Sequence, residues 1–274
     1  NIALEDFLVR NTNHIPEDLL LLYINKPCIV LGKNQSIYKE INVDCLRNED
    51  IKVCRRISGG GTVYHDYGNL NFSFISPFTE QKVNNYKWFN MPLVEALNKA
   101  GVPVVMDERN NILCHGKKIS GNAQFTNRKK ILSHGTLLFN ADLQPIRKCL
   151  HENNWKVESK AVSSVKSPVT NICNITTRFA DLDAFKEYIT TELNISGTFT
   201  FADSEWKSIE EESNARFRKF EWIYGRSPKT MVYKPELTIT IENGITTEIT
   251  NTAVNIDESV RGIRCARGDV GECC

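Results

Sequence analysis

The sequence lacks the features that place a protein in a membrane or on a nucleic acid. Its longest apolar runs, such as residues 19–24, are strand-sized and far short of the roughly 18–20 residues that a membrane span needs. The 34 lysines and arginines nearly balance the 33 aspartates and glutamates, leaving a formal net charge of +1. Such a balance offers no electrostatic basis for bulk binding to nucleic acid or to an anionic membrane. We therefore expect neither as a partner.

Several common binding motifs are missing too. Neither G-x-x-x-x-G-K-[ST] nor G-x-G-x-x-G occurs, the five histidines do not fall at metal-ligand spacing, and the nine cysteines form no C-x-x-C pair. Cys28, Cys54 and Cys114 lie in apolar, strand-like segments. This odd set of cysteines predicts reduced, mostly buried thiols in a reducing compartment, and neither a disulfide framework nor a side-chain metal site.

What is present is a mixture of helical and strand periodicities. Leu4, Phe7 and Leu8 share one face of a predicted helix. Apolar residues also recur at helical spacing over 86–100, where Pro92 marks either a kink or the start of the helix. Two further helices are predicted behind Asp181 and Asp203. Strands are predicted at 19–24, 28–31, 51–56, 70–75, 102–106 and 131–139, and a hairpin at 237–249. The pattern predicts an α+β fold with a mixed sheet and a boundary near 228–234.

The first segment with chemical potential is residues 55–69, R-R-I-S-G-G-G-T-V-Y-H-D-Y-G-N. Three consecutive glycines after a strand let the backbone approach a ligand closely, and the N–H groups of such a loop can form an anion site. Arg56 could supply a guanidinium fork for phosphate oxygens. A plain hairpin turn is the alternative, but it would not need two arginines before the glycines and His65-Asp66 after them.

Two more segments carry candidate groups. In K-K-I-S-G-N-A-Q at 117–124, Lys118 stands beside small residues, which suits a lysine that polarises a carbonyl or neutralises a phosphate. The alternative is a surface loop with two solvated lysines. In S-H-G-T-L-L-F at 133–139, His134 precedes an apolar strand. It is either a ligand contact or a structural histidine.

Taken together, these segments resemble the lipoate–protein ligase A family, within the biotin/lipoyl ligase and octanoyltransferase superfamily. The resemblance covers roughly residues 1–230 and includes A-L-E-D at 3–6, G-K-N-Q at 32–35 and W-I-Y-G-R-S-P at 222–228. The sequence around residues 121–124 is most like that of Gram-positive members. The resemblance implies a large mixed-sheet catalytic domain of the biotin/lipoyl-synthetase type over 1–230. A small, shortened C-terminal α+β accessory segment would follow over 231–274.

The resemblance also implies an activity. Such enzymes use ATP and Mg²⁺ to convert lipoate to lipoyl-AMP with release of pyrophosphate. They then transfer the lipoyl group to one lysine of an apo lipoyl domain of 2-oxoacid dehydrogenase complexes or of the glycine-cleavage H protein. In such enzymes Arg56 would hold nucleotide phosphate, and Lys118 would contact both the acyl carbonyl and the α-phosphate. The adenylate would be wrapped by Gly61, Thr62, Val63 and Tyr64, and the lipoate pocket shaped by Ser58, His65, Asn69 and His134.

This chain departs from the family pattern in two places. Asn111 stands where members usually carry aspartate, which puts the handling of magnesium or ribose in question. The part after residue 230 is shorter than the usual accessory domain, and residues 252–274 do not match it. Some relatives that lack that domain need a partner chain for adenylation, so a transferase without its own adenylation step is an alternative.

Two competing hypotheses remain open. A transferase with a cysteine nucleophile would use Cys149 or Cys114. A non-catalytic binding protein would keep the pocket alone. The chain opens at Asn1 with no methionine and already in a helical pattern, so we expect residues to precede it. We expect a cytoplasmic protein, or a mitochondrial one if the source is a eukaryote.

Overall fold

The computed structural model describes residues 1–11, 18–42, 45–46, 51–150 and 155–251, without the side chains of residues 146 and 147. The helices are α1 Ile2–Arg10, α2 Ile37–Glu40, α3 Tyr86–Lys99, α4 Gln144–Cys149, α5 Leu182–Glu192, α6 Asp203–Glu212 and α7 Phe220–Ile223. The strands are β1 Leu19–Tyr23, β2 Cys28–Leu31, β3 Lys52–Arg55, β4 Val63–His65, β5 Asn69–Pro77, β6 Val104–Met106, β7 Ile112–Cys114, β8 Lys117–Ser120, β9 Asn122–Thr126, β10 Lys130–Leu138, β11 Lys156–Ser159, β12 Thr230–Lys234, β13 Leu237–Glu242 and β14 Ile245–Asn251.

The chain forms two compact units. The first comprises residues 1–26, 65–142 and 166–209, and the second comprises residues 27–64, 143–165 and 210 onwards. Helices pack with several small sheets in both, which confirms the predicted α+β class. None of the described helices is long and apolar enough to cross a membrane.

The first unit is built on the antiparallel sheet β1-β5-β10-β9. Its two central strands, β5 and β10, are nine residues long and almost entirely buried, and His134 lies opposite Ser73 in their register. Leu93 and Leu97 of α3 join a core with Phe72, Leu137 and other fully buried side chains. A second sheet, β6-β7-β8, is antiparallel as well. Together these layers fix the strands that carry Lys118 and His134.

Helix α3 accommodates Pro92 in its interior. The helix begins six residues earlier, where the Asn85 side chain accepts a hydrogen bond from the backbone N–H of Trp88 at 3.2 Å. Pro92 is therefore not a helix start. In contrast, Asp181 caps α5 as predicted, since its carboxylate accepts a hydrogen bond from the Ala184 N–H at 2.8 Å.

The second unit contains the parallel pair β2–β3 in the sheet β3-β2-β4, and the antiparallel sheet β11-β12-β13-β14. The predicted hairpin is confirmed as β13–β14, with Asn243 and Gly244 both at positive φ in the turn. Strand β12 pairs with both β11 and β13, so the predicted boundary region at 228–234 is itself a strand of this sheet. Residues 252–274 lie outside the described part of the chain.

The cysteines differ from expectation in one respect. Cys45 and Cys149 form a disulfide with a Cα–Cα distance of 5.4 Å, although the sequence predicted reduced thiols throughout. The two residues are 104 positions apart, so no local spacing signals their pairing. Cys28, Cys54 and Cys114 are buried and reduced, as predicted.

Candidate active site

The glycine loop, defined here as residues 58–62, follows β3 in the second unit and curves around the side chain of Arg56. The guanidinium donates to Ser58 Oγ at 2.9 Å and to the carbonyl oxygens of Gly59 at 2.5 Å and Gly61 at 2.7 Å. Gly60 has φ +84°, a left-handed conformation that favours glycine. The guanidinium also donates to the Val30 oxygen at 3.2 Å, so its hydrogen bonds to protein oxygens hold the loop in its curved conformation.

A second arginine, Arg55, anchors the surroundings of the loop. It is fully buried and donates to the carbonyl oxygens of Gly32 at 3.0 Å, Gln35 at 2.7 Å and Ile223 at 2.6 Å. Burial, with the nearby charges of Arg226 and Arg56, lowers the pKa of Arg55 to about 10. A Cβ at Gly32 would lie only 2.1 Å from the Gly60 oxygen, so glycine is required for this close approach. Arg55 thus joins the 32–35 segment, which carries the G-K-N-Q motif, to α7.

A hydrogen-bonded network holds Thr62 at the end of the loop. Ser164 Oγ accepts from the Thr62 N–H at 2.8 Å and from Gln35 Nε2 at 3.0 Å, and it donates to the carboxylate of Glu40. Gln35 Oε1 accepts from Thr62 Oγ1 at 2.8 Å. Ser164 and Glu40 were not predicted as site residues, and no local motif marks them, because they come together from 124 residues apart.

Tyr64 differs from the rest of the predicted adenylate segment. Its side chain is buried in a hydrophobic cluster with Ile29, Leu31, Ile37 and Cys149. Within the second unit the structure therefore brings Arg56, Ser58, Gly61 and Thr62 together in the loop, while Tyr64 packs in the core beside it. Val63 precedes Tyr64 in β4.

In the first unit, Lys118 lies on β8, and its backbone is hydrogen-bonded to residues 168–170. Its N–H donates to the Pro168 oxygen at 2.8 Å, and its carbonyl accepts from the Thr170 N–H at 3.1 Å. Val169 forms a parallel bridge with it. Lys118 is half-buried, whereas the adjacent Lys117 is exposed. Of the two lysines, the predicted one is in the more shielded environment.

His134 belongs to a buried polar cluster. Its Nδ1 lies 2.9 Å from Glu5 Oε1, which also accepts from Ser73 Oγ at 2.5 Å and from Tyr23 Oη at 3.0 Å. Burial would raise the pKa of Glu5, but the charge of His134 and the hydrogen bonds from His134, Ser73 and Tyr23 outweigh it and lower the pKa to about 2. Glu5 is therefore an ionised carboxylate. From the sequence, Glu5 was visible only as part of the A-L-E-D motif at 3–6, without a predicted role.

The other predicted histidine has a different partner in the same unit. His65 Nδ1 lies 2.9 Å from Asn25 Nδ2, and both residues are buried. Next to it, burial is the main reason that the pKa of Asp66 is raised, although hydrogen bonds from the Asp142 and Gly68 N–H groups act against it. His65 and His134 are thus held by separate hydrogen-bond partners.

Asn111, the departure from the family pattern, is itself tied to a carboxylate. Its Nδ2 donates to Asp107 Oδ2 at 2.8 Å, and its backbone N–H donates to Asp107 Oδ1 at 2.8 Å. The segment that lacks an aspartate at position 111 therefore still carries a carboxyl group four residues earlier. Asp107 was not among the predicted residues.

Comparisons with known proteins identify the family of this chain. The profile of the lipoyl protein ligase A/B catalytic domain matches residues 1–194. Lipoate-protein ligase LplJ of Bacillus subtilis is 38% identical over 236 residues, which cover 84% of this chain and 71% of that protein. This relative supports the resemblance to Gram-positive members.

Two solved structures share the fold. One is an archaeal bi-partite lipoate protein ligase from Thermoplasma acidophilum, analysed with its E2 lipoyl domain (TM-score 0.70, 21% identity, covering 82% of this chain and 91% of that one). The other is a lipoate-protein ligase A bound with ATP (TM-score 0.69, 21% identity, covering 82% of this chain and 93% of that one). On the domain profile and the identity to the Bacillus protein, this chain belongs to the lipoyl protein ligase A/B family.

Proposed function

We propose that this chain is an ATP-dependent lipoate–protein ligase. It activates lipoate as lipoyl-AMP and then transfers the lipoyl group to a lysine of an acceptor protein. The observation that carries the proposal is the glycine loop built around the buried Arg56 guanidinium, in a chain of this family. The loop offers a fixed cation and a closely approachable backbone, the two features that bind nucleotide phosphates.

In the first half-reaction, a carboxylate oxygen of lipoate attacks the α-phosphorus of ATP. The bond from that phosphorus to the bridging oxygen breaks, and pyrophosphate leaves with the electron pair. Negative charge grows on the phosphate oxygens, so fixed cations lower the barrier. In this proposal Arg56 and the glycine loop hold phosphate, and Lys118 neutralises charge at the α-phosphate.

In the second half-reaction, the ε-amine of the acceptor lysine attacks the acyl carbonyl carbon. An amide bond forms, the bond from the acyl carbon to the AMP oxygen breaks, and the amine loses a proton. The carbonyl oxygen becomes negative in the transition state, where a lysine ammonium stabilises it. Lys118 is the residue proposed for this role, because its backbone is fixed on β8 and its side chain is half-buried. His65, His134 and Ser58 are proposed to shape the lipoate pocket.

Mg²⁺ is part of the proposal as the ion that accompanies ATP. Within the described ranges, no group of three or more histidine, cysteine, aspartate or glutamate side chains could hold a metal ion. Mg²⁺ in nucleotide sites is held largely by phosphate oxygens and water, with one or two carboxylates. Asp107 supplies a carboxylate on the segment of Asn111.

The proposed acceptors are apo lipoyl domains of 2-oxoacid dehydrogenase complexes, the glycine-cleavage H protein, or both. The Thermoplasma ligase that shares this fold was analysed together with its E2 lipoyl domain, which supports the first class. We also propose that residues 1–230 form the catalytic domain and residues 231–274 a short accessory segment that includes the β13–β14 hairpin.

The states of Cys149 and Cys114 argue against a transferase with a cysteine nucleophile. Cys149 Sγ is bonded to Cys45, so it is not a free thiol. Cys114 is buried, and burial raises the pKa of its thiol, which leaves less of the reactive thiolate. Neither cysteine has the exposed, cationic environment that activates a nucleophile.

Lipoylation of a purified apo lipoyl domain tests the proposal. We expect the mass of one lipoyl group to be added when the chain, ATP, magnesium and lipoate are all present, and not when ATP is omitted. A parallel reaction supplies synthetic lipoyl-AMP instead of ATP and lipoate. Modification only from lipoyl-AMP would support the transferase alternative, and modification from neither donor would contradict an acyl-transfer function.

A further inference from the structure

Gly121 is the single residue between β8 and β9, which belong to different sheets of the same unit. Its N–H donates to Thr136 Oγ1 at 3.3 Å, and its carbonyl accepts from the Thr136 N–H at 3.2 Å. A Cβ on Gly135 would lie 2.7 Å from the Gly121 oxygen, so β10 packs directly against this corner. The backbone at Gly121 is therefore fixed by hydrogen bonds to β10 and by packing against it.

The side chain of Lys118 folds over this corner. A Cβ built on Gly121 would lie 2.7 Å from Lys118 Nζ and 2.8 Å from Lys118 Cε, and no other heavy atom is nearer. Gly121 does not have a positive φ, so its backbone conformation is open to alanine. The absence of a side chain at position 121 is thus needed for the position of the Lys118 ammonium, not for the local backbone.

Hydrogen bonds prevent both backbones from shifting to relieve such a contact. Lys118 is fixed by Pro168 and Thr170, and Gly121 by Thr136. Carbon atoms in contact are about 3.5–4.0 Å apart. A methyl group at position 121 would therefore drive the tip of Lys118 away by about 1 Å, and a misplacement of about 1 Å can lower a rate by about 10²-fold.

We propose that Gly121 is a positioning residue for Lys118: it leaves the space in which the ammonium group lies, and thereby sets where that charge meets the substrate. The inference rests on the proposed function insofar as it assigns Lys118 to catalysis. The contact between Gly121 and the Lys118 side chain does not depend on the proposed function, and it can be tested without measuring enzyme activity.

The test uses Gly121→Ala in the full chain, alone and combined with Lys118→Ala. Gly197→Ala is the control, because Gly197 is exposed and a Cβ there would meet nothing within 4 Å. The first readout is the rate at which acetic anhydride acetylates Lys118, measured by peptide mass spectrometry against the exposed neighbour Lys117. We expect Gly121→Ala to change the Lys118 rate severalfold and to leave the Lys117 rate unchanged. Equal rates in Gly121→Ala and wild type would overturn the proposal.

The second readout is thermal unfolding. Any decrease in Tm caused by Gly121→Ala should disappear in the Lys118→Ala background, since the colliding side chain has been removed. A decrease of equal size in both backgrounds, or a variant that does not fold in either, would show that Gly121 serves the backbone and would overturn the proposal.

The third readout is the rate of lipoate activation. We expect Gly121→Ala to lower kcat by about 10²-fold with little change in the KM for ATP, while Gly197→Ala matches wild type. A kcat within about twofold of wild type, in a protein whose Lys118 labelling has changed, would overturn the catalytic part of the inference. Inactivity of the wild type would instead refute the proposed function, and labelling and unfolding would still decide the role of Gly121.

Discussion

Glu5 Oε1 accepts a hydrogen bond from Nδ1 of His134 at 2.9 Å, within a cluster where both residues are buried. Helix α1 supplies the carboxylate and the central strand β10 supplies the imidazole, so this hydrogen bond fastens the helix to the sheet. A buried hydrogen bond to a carboxylate is costly to break from one side only, because the remaining polar group loses its partner away from water.

The first prediction concerns Glu5→Gln. Glutamine preserves the shape but removes the charge that faces His134, so we expect the free energy of unfolding at pH 7 to fall by about 3 kcal/mol. The pKa of Glu5 is lowered from 4.5 to about 2 on folding. Its contribution is therefore present above about pH 5 and is lost as the pH falls through 4.5 towards 2.

Urea unfolding of wild type and Glu5→Gln at pH 7 and pH 3 measures this difference. The difference in the free energy of unfolding between the two proteins should be smaller at pH 3 than at pH 7. The control is Glu95→Gln, an exposed carboxylate on α3 for which we expect no change. An equal difference in the free energy of unfolding at both pH values would contradict an ionised Glu5 in the folded protein.

The second prediction concerns Arg55→Lys. Lysine cannot reach the carbonyl oxygens of Gly32, Gln35 and Ile223 at once, so buried acceptors would be left without donors. Each such acceptor costs about 1–3 kcal/mol, and we expect a total loss of about 3 kcal/mol or more in stability. Chemical denaturation measures this loss of stability. The matched control is Arg128→Lys, the same substitution at an exposed arginine. Equal stability of the two variants would refute the anchoring role of Arg55.

The third prediction separates the two adjacent lysines of β8. Lys118→Ala should lose about 2.7–4 kcal/mol of transition-state stabilisation, or about 10²–10³ in rate, in adenylation and transfer alike. Lys117→Ala should retain nearly full activity, because Lys117 is exposed. Single-turnover rates of lipoyl-AMP formation and of lipoyl transfer are the measurements. Full activity of Lys118→Ala would remove this lysine from the mechanism.

The fourth prediction concerns the disulfide. Cys149→Ser should keep ligase turnover, because no step of the proposed mechanism uses a thiol. It should nonetheless lower stability by about 2–4 kcal/mol under oxidising conditions, since the bond constrains the unfolded chain over a separation of 104 residues. Cys114→Ser should also retain turnover. Loss of transfer in either variant would favour a cysteine-dependent transferase.

Features encoded locally were predictable from the sequence. Helix α1 follows from apolar residues at helical spacing, and the β13–β14 hairpin from alternation around Asn243-Gly244. The bounds of the short strands β7 and β8 were not predicted, although Cys114 was placed in a strand-like segment, because three or four residues are too few to show a periodic signal. They are defined by their partners, including the bridge from Lys118 to Val169.

The same division applies to the candidate site. The residues of the glycine loop, Lys118 and His134 were visible as motifs within single segments. Their hydrogen-bond partners were not, because Ser164 meets Glu40 across 124 residues and His134 meets Glu5 across 129. Pairings between residues so distant depend on the tertiary fold and leave no trace in local spacing.

The most direct measurement is lipoate-dependent exchange of labelled pyrophosphate into ATP by the purified chain, with magnesium and without any acceptor protein. We predict exchange that requires lipoate and that falls by about 10²–10³ in Lys118→Ala. Exchange would also show that the chain tolerates Asn111. Absence of exchange, in a folded protein that transfers the acyl group from synthetic lipoyl-AMP, would contradict the claim that this chain activates lipoate by itself.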